Sequence, residues 1–227
     1  MGYEERVYII SVDLGQINDF TAITVFERIA RPPEGYTEWY DRDLIKEHHL
    51  RYIERPERGT SYPAIIRRIS ELCGSPELHK KEKTVVIDIT GVGRPVWDHM
   101  HENGFGRREV YGIQIVGGNT VTRDYMIYNV PKRDLVSALQ VAFQNKDLKI
   151  AKGIPYADTL IKELINFKVK ISLSGHDQYG AASDWREGVH DDIVLSAAMG
   201  VWLGNTAHLR TWREYNDYSL YKMFTEE

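Results

Sequence analysis

Apolar positions along the chain fall into short runs closed by turn residues. Residues 7–13, VYIISVD, are apolar nearly throughout and end on an acid, Asp13; after GQIND the pattern resumes as alternating AITVFE. This predicts two strands, Val7 to Asp13 and Thr21 to Ile29, joined as a hairpin by a turn rich in asparagine, aspartate and glycine. Beyond RPPEG, the segment YTEWYDRDLIKEHHLRYI alternates enough for a third strand with an irregular extension. From Pro63 the spacing changes to that of a helix, with Ala64, Ile65, Ile69 and Leu72 on one face and Gly74 as its stop.

KTVVIDIT (83–90) is a second continuous apolar run carrying an acid at its end, Asp88, followed by GVG and a helix predicted from Pro95 to Glu102. Strand, glycine turn and helix in that order read as a parallel unit buried on both faces. REVYGIQIVG repeats the strand without the acid. PKRDLVSALQVAFQN places proline in a first turn and Leu135, Ala138, Leu139, Ala142 and Phe143 on one face, predicting an amphipathic helix. DTLIKELINFK predicts another helix, and KVKISLSGHDQYGAAS a hairpin over 168–183 with SGHDQYG at its tip. HDDIVLSAAMGVWLG predicts a last helix, almost wholly apolar, with two aspartates at its start. The fold class expected is α/β: three antiparallel strands, then parallel strands, in a mixed central sheet flanked by helices. No linker or repeat divides the chain, so 1–227 reads as one domain.

Composition narrows the field. The 227 residues are 42% hydrophobic and 27% charged, ordinary for a globular protein. No stretch reaches the roughly 18 apolar residues of a membrane span. MGYEERVYIIS lacks the basic-then-apolar order of a secretion signal, so a cytoplasmic location is expected. The single cysteine, Cys73, excludes an internal disulfide framework and a cysteine-rich zinc site, and reads as a structural thiol in a helix. A net charge of −4 argues against a generally basic nucleic-acid coat, but leaves room for a local basic strip beside an acidic centre.

Three acid sites stand at comparable places: Asp13 at the end of one strand, Asp88 at the end of a later one, and Asp191 with Asp192 at a helix start. In open α/β sheets ligands collect at the carboxyl ends of the strands, so neighbouring strands would bring Asp13 and Asp88 together. The last helix, packed on the sheet, would deliver its acids to the same edge. Crowded carboxylates raise one another's pKa unless a cation neutralises them, and hard oxygen ligands suit Mg²⁺ or Mn²⁺. Two such ions about 4 Å apart could clamp a scissile phosphate. Taken singly, Asp88 reads as a turn residue, and Asp191 and Asp192 as first-turn acids favoured by the helix dipole.

The segments DLGQINDFTAI (13–23), VVIDITGVGRPVWDHM (85–100), VPKRDLVSALQVAFQNKDLKI (130–150) and HDDIVLSAAMGVWL (190–203) together make the chain resemble the nuclease domain of the large terminase subunit of tailed bacteriophages, in the ribonuclease H-like (retroviral integrase-like) superfamily. The resemblance implies a ribonuclease H-like fold and a metal-dependent endonuclease that cuts concatemeric viral DNA during genome packaging. It implies Asp13, Asp88 and one or both of Asp191 and Asp192 as metal ligands for Mg²⁺ or Mn²⁺, two ions with DNA bound. Asp19 would support the first turn, and His190 would cap the last helix or relay a proton. Phosphate contacts are expected from Arg94, Lys132, Arg133, Lys168 and Lys170, and the hairpin 168–183 would lie near the active site.

Double-stranded DNA, a terminase ATPase domain, the small terminase subunit and the portal are the implied partners, in host cytoplasm at the procapsid portal. The chain has no GxxxxGK[ST] phosphate loop, so it is expected to be the nuclease part alone, excised or separately encoded. A C-terminal extension from about 205 to 227, rich in aromatic residues, is expected to pack against the domain. A Holliday-junction resolvase of the same superfamily, an actin-like ATPase domain and a non-catalytic docking module are the competing readings.

Overall fold

The two acid-terminated apolar runs become adjacent parallel strands at the centre of one sheet. The computed structural model describes residues 3–15, 19–36, 43–102, 105, 110–166 and 191–206. Strand β1 (Glu5–Asp13) pairs antiparallel with β2 (Ala22–Arg31) on one side and parallel with β4 (Lys83–Asp88) on the other. Beyond β2 comes β3 (Ile45–Glu54), antiparallel to it, with a register shift at Val25/Phe26. Beyond β4 comes β5 (Val110–Val116), parallel to it. The predicted mixed topology is therefore present.

Three strands extend the sheet beyond the sequence expectation. β6 (Thr122–Asp124) and β7 (Ile127–Pro131) form a hairpin against β5, and β8 (Leu148–Ile150) pairs parallel with β3. The full order is β6-β7-β5-β4-β1-β2-β3-β8.

Helices cover both faces. α1 (Tyr62–Gly74) and α2 (Gly93–Glu102) pack on one, where Ile65, Ile69, Val96 and Met100 meet Ile10, Val12, Val85 and Ile87. Cys73 is a half-buried thiol at the edge of this layer. α3 (Lys132–Gln144), α4 (Ala157–Asn166) and α5 (Asp192–Thr206) cover the other. Pro131 proves to be the N-cap of α3, one position outside the first turn where it was expected. The α3 stripe also turns slightly: Val136 is buried, and Phe143 is 49% exposed at its margin.

α5 explains its own composition. It packs on β1, β2, β3 and β4 and is covered in turn by α3 and α4, so it has almost no solvent face and needs apolar residues all round. Its register on the sheet is set at several points. Ser11 Oγ donates to Ser196 O at 2.6 Å, while Ser196 Oγ lies 2.9 Å from both Ser11 O and Thr24 Oγ1. At the far end the buried Arg28 donates from Nε to Gly204 O and from Nη1 to Glu5 Oε1, each at 2.7 Å. Gly200 lies against Phe26, where a Cβ would come within 2.9 Å of the ring, so the small residue permits the close approach.

Candidate metal centre at the carboxyl edge of the sheet

Alternation along a strand decides which acids can meet. Val7, Ile9 and Ser11 point to the α5 face of the sheet, and so does Asp13, two residues on. On β4, Val86 points to that face and Asp88 follows it in phase. Because Val12 pairs with Ile87 in parallel register, Asp13 and Asp88 are neighbours one position further on, on the same face. α5 then brings its N-terminus to this edge: Asp191 is its N-cap residue, its carbonyl accepting from Leu195 N at 2.9 Å, and Asp192 begins the helix.

The turns that follow the strands are close-fitting. Gly15 N donates to Thr21 Oγ1 at 3.1 Å across the β1–β2 connection, while Asp19 is exposed. A Cβ on Gly93 would stand 1.9 Å from the Asp88 carbonyl oxygen, so the glycine lets α2 start directly against the end of β4. Asp88 Oδ1 accepts from Thr90 N at 2.7 Å, and Thr90 Oγ1 accepts from Ile115 N at 2.9 Å, tying the acid to β5.

Electrostatics shows how closely the acids interact. Asp13 is only 8% exposed. Its carboxyl is pushed well above the usual range, first by burial and then by repulsion from Asp88, Asp192 and Asp191 in that order, with Lys132 opposing. Burial also raises Asp88, against the Thr90 hydrogen bonds and Lys132. The order of repulsions makes Asp192, rather than Asp191, the stronger neighbour of Asp13.

Among the described residues no three His, Cys, Asp or Glu side chains form a group that could hold one ion. Asp191 Oδ2 accepts from Lys132 Nζ at 3.0 Å, and Asp192 Oδ2 from Arg55 Nη2 at 2.7 Å, so each is paired with a cationic side chain. The donor set still fits a hard divalent cation. It offers only carboxylate oxygens, and Mg²⁺ commonly takes one or two carboxylates and completes its shell with water and phosphate oxygens. Asp13 and Asp88 are the residues that would hold such an ion, with Asp192 and Asp191 as the neighbouring acids that act on Asp13.

Two participants escaped the sequence reading. Arg55 follows β3 and reaches Asp192 across 137 residues of chain. Glu163, on α4, accepts from Val194 N at 3.1 Å and so caps the first turn of α5 from another helix. Burial, with help from Asp192, raises its carboxyl to about 7. A carboxylate on the apolar side of DTLIKELIN, beside Leu160 and Leu164, was the available signal.

The expected DNA contacts divide into three groups. Lys132 is engaged with Asp191 inside the acidic cluster and stands against the carboxylates. Arg94 is half-exposed at the start of α2, 3.4 Å from Asp98, with its guanidinium 5.1 Å from the centre of the Trp97 ring. Arg133 lies 3.3 Å from Asp134. Lys168, Lys170, His190, the hairpin 168–183 and the extension beyond 206 lie outside the described residues.

Comparison with known proteins agrees with this architecture. The crystal structure of the large terminase nuclease from thermophilic phage G20c is similar at 20% identity and a TM-score of 0.50, covering 86% of this chain and 81% of that one. The large terminase (g2p) nuclease domain of bacteriophage SPP1, solved with bound Mn, matches at 8% identity and a TM-score of 0.44, with coverage of 85% and 84%. No curated protein matches the sequence. The model of the terminase RNaseH-like domain family matches residues 10–201, which is most of the chain. With this sheet, these helices and that match over nearly all of its length, the chain belongs to the terminase RNase H-like domain family.

Proposed function

We propose that this terminase RNase H-like domain is a divalent-metal-dependent endodeoxyribonuclease that cuts concatemeric viral DNA as genomes are packaged. The supporting observation is the side-by-side placement of Asp13 and Asp88 on the face that also receives Asp191 and Asp192. Buried like charges at a sheet edge are costly unless a cation compensates them.

When bound, Mg²⁺ or Mn²⁺, with a second ion in the presence of DNA, supplies neutralisation of the scissile phosphate and a more acidic attacking water. The chain's own residues do the positioning. Asp13 and Asp88 present oxygens from rigid strand ends, and α5 carries Asp191 and Asp192 at a fixed register. Thr90 holds the Asp88 carboxylate, and Glu163 holds the start of α5. Arg94 and Arg133 are the described residues we assign to the DNA backbone, where contact with phosphates suits cleavage without a fixed sequence. Lys168 and Lys170 complete that assignment from the sequence. Hydrolysis is expected to leave 5′-phosphate and 3′-hydroxyl ends. The ATPase domain, small terminase subunit and portal are the proposed partners, at the procapsid in host cytoplasm.

The test is nicking of supercoiled plasmid with Mn²⁺ or Mg²⁺. Activity that chelator abolishes and Asp88→Ala lacks supports the reading. Equal nicking by wild type and Asp88→Ala, or none by pure wild type with either metal, overturns it.

A further inference from the structure

Arg55 is held more tightly than a loop arginine needs to be. Its side chain is 12% exposed, and Nη2 donates to Asp192 Oδ2 at 2.7 Å. Its guanidinium carbon lies 4.0 Å from the centroid of Phe20, and that of Arg58 lies 4.1 Å from the same centroid. Its Nε is buried without a hydrogen-bond partner among the described residues. One side chain thus joins the β1–β2 connection, the end of β3 and the start of α5. A planar guanidinium stacked on a ring keeps its orientation, and an unpartnered buried N–H is a cost borne for that position.

The charge arrangement gives the contact its meaning. Asp192 repels the buried Asp13 carboxylate across the site, and Arg55 sits on Asp192 where a cation is needed. We infer that Arg55 is a built-in counter-ion: it holds Asp192 in the metal-free protein and competes with a divalent cation for that carboxylate. The inference rests on the reading of the acids as a metal centre. Removing the guanidinium leaves the cluster more negative and frees one carboxylate, and both effects favour metal. Arg55 is accordingly a positioning residue, acting through Asp192.

The experiment is calorimetric titration of Mn²⁺ into the full chain without DNA, at one neutral pH and fixed ionic strength. Arg55→Gln should tighten the Mn²⁺ dissociation constant on the order of tenfold, the scale of removing a unit charge from several ångströms away. Arg55→Lys, which keeps the charge, should stay nearer to wild type, and Asp13→Asn should abolish binding. Without metal, Arg55→Gln should melt below wild type, and saturating Mn²⁺ should narrow the gap as the ion replaces the lost cation.

Wild-type binding that Asp13→Asn removes, with unchanged or weaker binding by Arg55→Gln, overturns the inference and leaves the metal centre standing. Equal tightening by Lys and Gln also overturns it. No binding by wild type overturns the metal centre and the inference together. If Arg55→Gln does not fold, Phe20→Leu carries the test by removing the ring that holds the guanidinium. It should bind Mn²⁺ more tightly than wild type, and unchanged or weaker binding overturns the inference.

Discussion

Asp13 and Asp88 occupy equivalent positions on neighbouring parallel strands, one residue past the paired Val12 and Ile87, and face the same helix. Of the two, Asp13 is more deeply buried and its carboxyl is raised further. A carboxyl whose pKa is raised on folding destabilises the protein as pH climbs above its unfolded value. The shape-matched Asp13→Asn should therefore make the metal-free protein more stable at neutral pH. The gain should vanish in acid, where the wild-type carboxyl is protonated in both states. Cleavage should fall by more than about 100-fold, beyond the usual effect of a residue outside the ligand shell. Thermal melts across pH with chelator present, together with plasmid nicking, check both outcomes.

The two acids of α5 should not be equivalent. Asp192 repels Asp13 more strongly than Asp191 does, whereas Asp191 is the N-cap, held by Lys132. Asp192→Asn should weaken Mn²⁺ binding more than Asp191→Asn, by roughly tenfold on the charge-removal scale. Titration of both variants side by side decides it, and a larger loss with Asp191→Asn reverses the assignment.

Gly93 makes a prediction about backbone rather than charge. Because a Cβ there would lie 1.9 Å from the Asp88 carbonyl oxygen, Gly93→Ala must push α2 away from the end of β4. A stability loss of about 1–3 kcal/mol is expected, the ordinary range for overpacking. The nicking rate should fall further than stability alone accounts for, because Asp88 moves with its turn. Denaturant melts and rates measured well below the melting point separate the two effects.

How far the sequence speaks for the fold depends on how local each signal is. VYIISVD and KTVVID carry their strand character and their acids within a few residues, so both elements and the carboxyl-edge placement of Asp13 and Asp88 were legible. β6 and β8 are three residues each; Thr122–Asp124 is exposed throughout, and the alternation of Leu-Lys-Ile in β8 is too short to stand out as a strand. They exist because the neighbouring strands leave edges to pair with. Arg55 is one arginine among several in RYIERPERG, and only the folded chain brings it to Asp192. The pairing of Lys132 with Asp191 and of Arg55 with Asp192 was illegible for a related reason: composition reveals the charges, but not which of them meet in the fold.

Glu163 can be tested as a cap. Its Oε2 accepts from Val194 N, and its carboxyl sits at about 7, raised chiefly by burial. The raised value means that stability is lost as pH rises from the unfolded carboxyl range through 7. Glu163→Gln keeps an acceptor and removes that loss, so it should match or exceed wild type above neutral pH and trail it in acid. Glu163→Ala removes the acceptor and should cost about 1 kcal/mol, as other lost caps do. Melting temperatures of the three proteins from acid to mild base show whether the lines cross.

His48 provides the opposite pH dependence at the other end of α5. It is fully buried, its Nε2 lies 2.9 Å from Asn205 Oδ1, and its pKa falls to about 4 from 6.5. Burial is the main cause, opposed by the hydrogen bond with Asn205 and reinforced by Arg28, Lys46 and His49. The ring is thus neutral in the fold while the unfolded chain takes up a proton below pH 6.5. Stability present above that value should be lost as pH falls toward 4, by up to about 3 kcal/mol from this group. His48→Gln cannot titrate, so its stability should fall less over the same interval even if its absolute value is lower. Urea unfolding at intervals between pH 7 and pH 4 measures the two slopes. Parallel slopes would mean that His48 already carries its proton in the folded protein, with Asn205 accepting from it.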